Sequence, residues 1–113
     1  MDLNNVTLSG RVFDMRFNPT YNPTDVGVAE GKISVMVGRR KDEDVFEEFN
    51  IRAYGKKSED ISLIQDGTFV TLSGRLREDI RVNSNDPNTT RSKVYVNIDC
   101  IKYPAHKGQR VNE

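Results

Sequence analysis

Apolar and polar residues alternate over long runs of this chain, and one such run occurs twice. Val6-Thr7-Leu8-Ser9-Gly10-Arg11 returns letter for letter as Val70-Thr71-Leu72-Ser73-Gly74-Arg75. A period of two puts successive side chains on opposite faces of a strand. Val6, Leu8 and Val12 then face a core, with Thr7, Ser9 and Arg11 outside. In the second copy Val70, Leu72 and Leu76 face inward and Thr71, Ser73, Arg75 and Arg77 outward. A glycine within a strand marks a bulge or a bend, and two long strands bent in this way suit a small barrel that must curl to close. The flanks of the two copies do not match, which argues against a duplication.

The same pattern predicts strands over about 5–17, 26–39, 45–54, 68–80 and 91–103, with a short helix over 57–64 capped by Ser58. After the first strand, Asn18-Pro19-Thr20 and Asn22-Pro23-Thr24 read as a stiff connector with Tyr21 between them. In the second strand Ile33, Val35 and Val37 alternate with Lys32, Ser34 and Met36, and Gly27 and Gly31 add curvature. Arg39-Arg40-Lys41 then meets Asp42-Glu43-Asp44 at a solvated hairpin tip. In the third strand Phe49, Ile51 and Ala53 have core parity, while Glu48, Asn50, Arg52 and Tyr54 share the other face. The polar run Asn83–Thr90 reads as a loop, and Val94, Val96, Ile98 and Cys100 as the inward stripe of the last strand. Residues 1–103 form the expected domain, and 104–113, after Pro104, a flexible C-terminal tail. A helix between strands three and four is the order of the OB-fold. The expected fold class is therefore all-β with one short helix, a five-stranded OB-fold Greek-key barrel.

Composition narrows the chemistry. The 113 residues carry 17 Lys+Arg and 17 Asp+Glu, for a formal net charge of zero. That balance counts against a partner bound by overall charge but leaves room for a local basic face. A lone cysteine, Cys100, cannot form an internal disulfide and fits a reducing, cytoplasmic compartment. The N-terminal residues show no secretory pattern, and no apolar run approaches the roughly 18 residues of a membrane span. With one cysteine and one histidine, neither a zinc site nor a Cys-His nucleophile is supported. No glycine-rich phosphate loop precedes a helix, and no spacing marks a catalytic carboxylate pair. The expectation is no enzyme, no cofactor and no metal.

Several segments, in order, resemble the bacterial-type single-stranded DNA-binding protein family. They are Asn4–Val12; Gly27-Val28-Ala29 followed by Ile33–Val37; Phe49–Lys56 with Glu59 just beyond; and Gly67–Leu76. The resemblance implies a homo-oligomer, dimer or tetramer, that coats single-stranded DNA without catalysis. It also implies a cytoplasmic, nucleoid-associated place in replication, recombination or repair, with proteins of those processes as possible partners. It further implies an outward sheet face carrying stacking aromatics and basic residues. At positions where the family often has aromatics this chain has Lys41, Glu48 and Arg81, and only Tyr54 keeps one. Each base–aromatic stack is worth roughly 1–3 kcal/mol, so weaker binding is expected. The family's long linker and acidic tip find no match in Arg110-Val111-Asn112-Glu113, so recruitment of partners by that means is not expected.

Parity places Arg11, Arg52, Tyr54, Arg75 and Arg77 on one outward face, where arginines can meet phosphates and Tyr54 a base. The competing reading is a solvated sheet whose arginines pair with Glu48, Glu78 and Asp79. Arg39, Arg40 and Lys41 could follow a phosphate backbone, although Asp42–Asp44 would repel it. Lys56 at the start of the helix and Arg81 complete the candidate set. Phe13 and Phe17 are expected to pack rather than stack. The function expected is non-catalytic binding of single-stranded DNA by a basic OB-fold groove. The alternative is an OB-fold protein-interaction or assembly module with weak or no nucleic-acid binding.

Overall fold

The two copies of the repeated segment lie against each other. The computed structural model describes residues 2–19, 27–83 and 85–104. In it β1 (Val6–Asn18) pairs antiparallel with β4 (Phe69–Asn83), so that Val6 faces Gly74, Leu8 faces Leu72 and Gly10 faces Val70. The repeat thus makes a local two-fold about the Leu8–Leu72 pair, each glycine opposite the other copy's valine. Both glycines are buried. A Cβ on Gly10 would run into the backbone carbonyl oxygen of Ser34, and one on Gly74 into that of Asn97. Only a residue without a side chain lets the neighbouring strand come this close, and that approach lets the sheet bend sharply enough to close.

The remaining elements are β2 (Val28–Arg40), β3 (Glu43–Tyr54), α1 (Ser58–Ser62) and β5 (Asp86–Lys102). The strands close in the order β1-β2-β3-β5-β4, with β3 and β5 parallel and the other pairs antiparallel. This is the five-stranded OB-fold barrel that the pattern predicts. Its core is Val12, Ala29, Ile33, Ile51, Ala53, Val70, Leu72, Val96 and Ile98, with Ile61 and Ile64 from the helical segment packed into the same cluster. A five-residue helix has no stability of its own, so Ile61 and Ile64 hold it in place. Ser58 is not its cap. Lys57 occupies that position, and the buried Ser58 hydroxyl donates instead to the Gly55 carbonyl at 2.7 Å. Among the described residues no helix is long and apolar enough to cross a membrane.

Two bulges alter the inward stripes. Asp14 has φ 57°, and the β1–β2 register shifts between Phe13 and Arg16. The strand therefore turns Met15 onto the core after Val12, and Phe13 and Phe17 are half-buried. On β5, Gly74 pairs with Ile98 but Ser73 pairs with Cys100, which leaves Asp99 as an extra residue. Parity reverses there. Ile101 packs on the core and Cys100 is exposed, contrary to the inward position expected for it.

Both long hairpins run past the end of the barrel. The polar stretch expected as a loop is mostly strand: β4 runs to Asn83 and β5 begins at Asp86, with the register continuous to Val82 and Thr90 and shifting before Asn83 pairs with Asp86. Polar residues are compatible with a ribbon solvated on both sides, so composition misleads there. Val37, Leu76 and Val94 have core parity but lie beyond the packed interior and are exposed. The β2–β3 tip falls where charge blocks placed it, at Lys41 (φ 52°) and Asp42 (φ 67°). Two consecutive left-handed residues match the twist of a two-residue hairpin. Tyr21, the second Asn-Pro-Thr unit, the start of the expected second strand at Val26, and the tail from residue 105 onward lie outside the described residues.

Replacing Gly10 or Gly74 with alanine should destabilise the fold by about 3 kcal/mol, because the new methyl group meets backbone rather than a movable side chain. Gly38→Ala, where nothing lies within 4 Å of the added atom, should stay within about 0.5 kcal/mol of the parent. Urea melts of the three variants check this, and equal midpoints would refute the close-approach account.

Candidate nucleic-acid interface

Strand register sorts the outward side chains into two ladders. On β2–β3 the opposed pairs are Val28/Tyr54, Glu30/Arg52, Lys32/Asn50, Ser34/Glu48 and Met36/Phe46. On β4–β5 they are Arg75/Asn97, Arg77/Tyr95, Asp79/Lys93 and Arg81/Arg91. The parallel seam, with Arg52 beside Asn97, joins the two ladders into one outward surface. The β4–β5 ladder thus carries five cations against one carboxylate.

Arg52 sits at the centre. Its side chain is only 12% exposed and lies over the Tyr95 ring, with its central carbon 4.3 Å from the ring centroid. Nη2 donates to Asp79 Oδ2 at 3.1 Å, Nε lies 3.6 Å from Glu30 Oε1, and Nη1 donates to the Tyr54 hydroxyl at 3.4 Å. Burial lowers the affinity of this guanidinium for its proton, but Tyr54, Asp79 and Glu30 together outweigh that, and the net shift is upward. The Tyr54 and Tyr95 hydroxyls are 3.5 Å apart. That hydrogen bond, then burial, push the Tyr95 phenol above its ordinary value, so it is neutral at pH 7. Tyr95 is 7% exposed although its parity is outward, because Arg52 covers it, whereas Tyr54 is 49% exposed.

The other expected site residues spread more widely. Arg77 stands opposite Tyr95 on the ladder and enters no ion pair among the described residues. Arg75 lies 3.6 Å from Asp99, an exposed pair worth at most about 1 kcal/mol. Arg81 faces Arg91 in the register. Lys56 is exposed in the turn two positions past Tyr54. At the β2–β3 tip Arg40 and Lys41 are exposed, while Arg39 is tied to Asp44 at 3.3 Å and to the Asp42 carbonyl at 3.1 Å. Arg11 is elsewhere. It donates to the Gly67 carbonyl at 2.8 Å and lies 5.9 Å from the centroid of Phe69. Phe69 precedes Arg77 by eight positions on β4, roughly 25 Å along an extended strand.

The structure adds residues that the sequence reading did not single out. Arg91, Lys93 and Tyr95 share the outward ladder, and Glu30 joins the expected Asp79 in holding Arg52, in place of Glu48 and Glu78. Phe46 is 56% exposed, and Met36 opposite it 55%. The signal for Phe46 was available, since the outward series Tyr54, Arg52, Asn50, Glu48 reaches it at the next step of two.

A phenol held neutral in the folded protein but free to ionise in the unfolded chain stabilises the fold fully below the ordinary value of about 10. That contribution is lost as pH rises through the higher folded value. Phenolate absorbance should therefore show a phase above pH 10 that Tyr95→Phe removes; titration of the variant with the phase intact would contradict the assignment.

No family model matches the chain, and no curated protein is significantly similar to it in sequence. Solved structures do resemble it. A small single-stranded DNA-binding protein from Streptomyces coelicolor superposes with a TM-score of 0.66 at 16% identity, covering 92% of this chain and 96% of its own. The single-stranded DNA-binding protein of Plasmodium falciparum, solved in complex with single-stranded DNA, superposes with a TM-score of 0.74 at 14% identity, covering 93% and 97%. At these identities the likeness is one of fold, and it extends over nearly the whole chain.

Proposed function

We propose that this chain binds single-stranded DNA, without catalysis, along the outward surface formed by β2, β3, β5 and β4. The observation that carries the reading is the juxtaposition on one surface of exposed aromatics, Tyr54 and Phe46, with the cations Arg77, Arg91 and Lys93. Exposed rings offer faces to unpaired bases, and a cationic stripe follows the phosphates between them. Two solved proteins of the same fold are single-stranded DNA-binding proteins, one of them seen with its strand. Replication, recombination or repair is the setting in which such binding serves a cell.

The path of the strand follows from charge. Residues 36–48 of the β2–β3 hairpin hold three cations and five carboxylates, whereas residues 75–97 hold five cations and three carboxylates. Phosphates therefore track β4–β5, and Arg39, Arg40 and Lys41 contribute little. Phe46 takes the stacking role that Lys41 and Glu48 cannot. Arg11, on the far part of the barrel, is outside this path.

Self-association belongs to the same proposal. The other face of the β4–β5 hairpin presents Leu76, Ile80, Val82 and Val94, all roughly half exposed or more. Beside it Phe49, Leu76, Val94 and Val96 border a groove of about 330 Å³. Covering such a surface with a second copy removes apolar area from water at about 25 cal/mol per Å². The favoured assembly is a homo-oligomer through this face, which leaves the cationic ladder on the opposite face open.

Fluorescence anisotropy of labelled oligothymidine tests the binding. Binding should appear at low salt and weaken linearly in log–log form as salt rises. Arg91→Ala and Lys93→Ala should each lower that slope by about one, while Phe46→Ala should cost about 1–3 kcal/mol with the slope unchanged. Absence of binding at low salt would leave the protein-interaction reading in its place. For the assembly, sedimentation should find a species larger than the monomer, and Val94→Glu should dissociate it; a monomer at all concentrations would refute that part.

A further inference from the structure

Arg52 would be expected, on an outward face of this kind, to hold a phosphate. Its surroundings argue otherwise. Each of its three guanidinium nitrogens already meets an oxygen of the protein: Nε that of Glu30, Nη2 that of Asp79, and Nη1 that of Tyr54. Its charge is already met by two carboxylates, which a phosphate would have to displace. One planar face of the guanidinium is covered by the Tyr95 ring. What remains is the other face. Arg52 lines a cavity of about 450 Å³ together with Glu30, Asp79, Arg91, Ser92 and Lys93.

We propose that Arg52 is a stacking platform for one nucleobase and not a phosphate ligand. The base lies in the cavity against the open face of the guanidinium, in a stack of Tyr95, Arg52 and base. Glu30 and Asp79 are positioning residues. They hold the guanidinium in the plane that matches the Tyr95 ring and keep its charge inside the protein. Arginine planes stack on rings as aromatic side chains do, so this position replaces one of the rings that the chain lacks. Arg91 and Lys93, on the rim of the same cavity, remain for the phosphates on either side of the base. A space of this size accommodates a base with its sugar at the mouth, since ligand pockets start near 300 Å³.

The inference rests on the strand-binding reading, and the test separates the two. The full chain is titrated with two labelled probes, oligothymidine and a deoxyribose-phosphate oligomer of equal length without bases, over a salt series. Arg52→Lys keeps the charge and loses the plane. It should bind oligothymidine roughly tenfold more weakly and the abasic strand as the parent does. Equal affinity of parent and variant for both probes, or an equal loss on both, would overturn the platform role. The double variant Glu30→Gln, Asp79→Asn frees the guanidinium and should bind with a salt slope larger by about one, as the released charge becomes available to phosphate. An unchanged slope there would overturn the positioning role even if Arg52→Lys did not fold, which circular dichroism melts would show. If the parent binds neither probe at low salt, strand binding itself fails, and the platform with it.

Discussion

The architecture depends on two points of backbone contact. At Gly10 against Ser34, and at Gly74 against Asn97, a strand passes so near its neighbour that any side chain would strike a carbonyl oxygen. A five-stranded sheet closes only if some strands bend strongly, and these contacts are where β1 and β4 do so. Because the two glycines belong to a repeated segment that pairs with itself, the bends are related by a local two-fold about Leu8 and Leu72. One short sequence thus supplies the central pair of strands and both corners. The closure sets Ile51 and Arg52 of β3 beside Val96 and Asn97 of β5, the seam that joins the two outward ladders.

That seam explains why an arginine can be nearly buried on an outward face. Asp79 comes from β4 and Tyr95 from β5, while Glu30 lies on β2 and Arg52 on β3. Residues of β2, β4 and β5 converge on a guanidinium from β3, and no two of its four partners share a strand, Tyr54 lying on β3 two positions along from Arg52 itself. Removing either carboxylate leaves a buried charge with less compensation, so the cluster is conformationally specific as well as polar. The neutral Tyr95 phenol adds no negative charge beneath it.

Much of this was legible in the residues. Period-two alternation located all five strands, an apolar side located the helix between the third and fourth, and opposed charge blocks located the β2–β3 tip, because each is a local pattern. The failures are of one kind. A bulge inserts a residue without any mark in composition, and Asp99 does so in front of Cys100, which turns a thiol expected inside to the outside. Asp14 does the same before Met15. Val94 and Leu76 were placed inside on parity, which is correct for the face and silent about where the barrel ends. Tyr95 had outward parity and was passed over, because its burial comes from an arginine on another strand. Of the carboxylate partners of Arg52, Asp79 was among those expected and Glu30 was hidden, since finding Glu30 rather than Glu48 or Glu78 requires the register.

Zero net charge is compatible with the proposed polyanionic partner because charge is distributed unevenly between the hairpins. The β2–β3 hairpin gathers carboxylates at Asp42–Asp44, Glu47 and Glu48. The β4–β5 ladder gathers Arg75, Arg77, Arg91 and Lys93 on its outward side, with Arg81 opposite Arg91 in the register. At physiological ionic strength the screening length is about 8 Å, so only charges within about that distance of the proposed strand path weigh on it. On the proposed reading, affinity would be set by a few local contacts rather than by overall attraction. With few rings to stack on, each stacking contact would be a larger share of the whole. Such binding would be modest in strength and strongly dependent on salt.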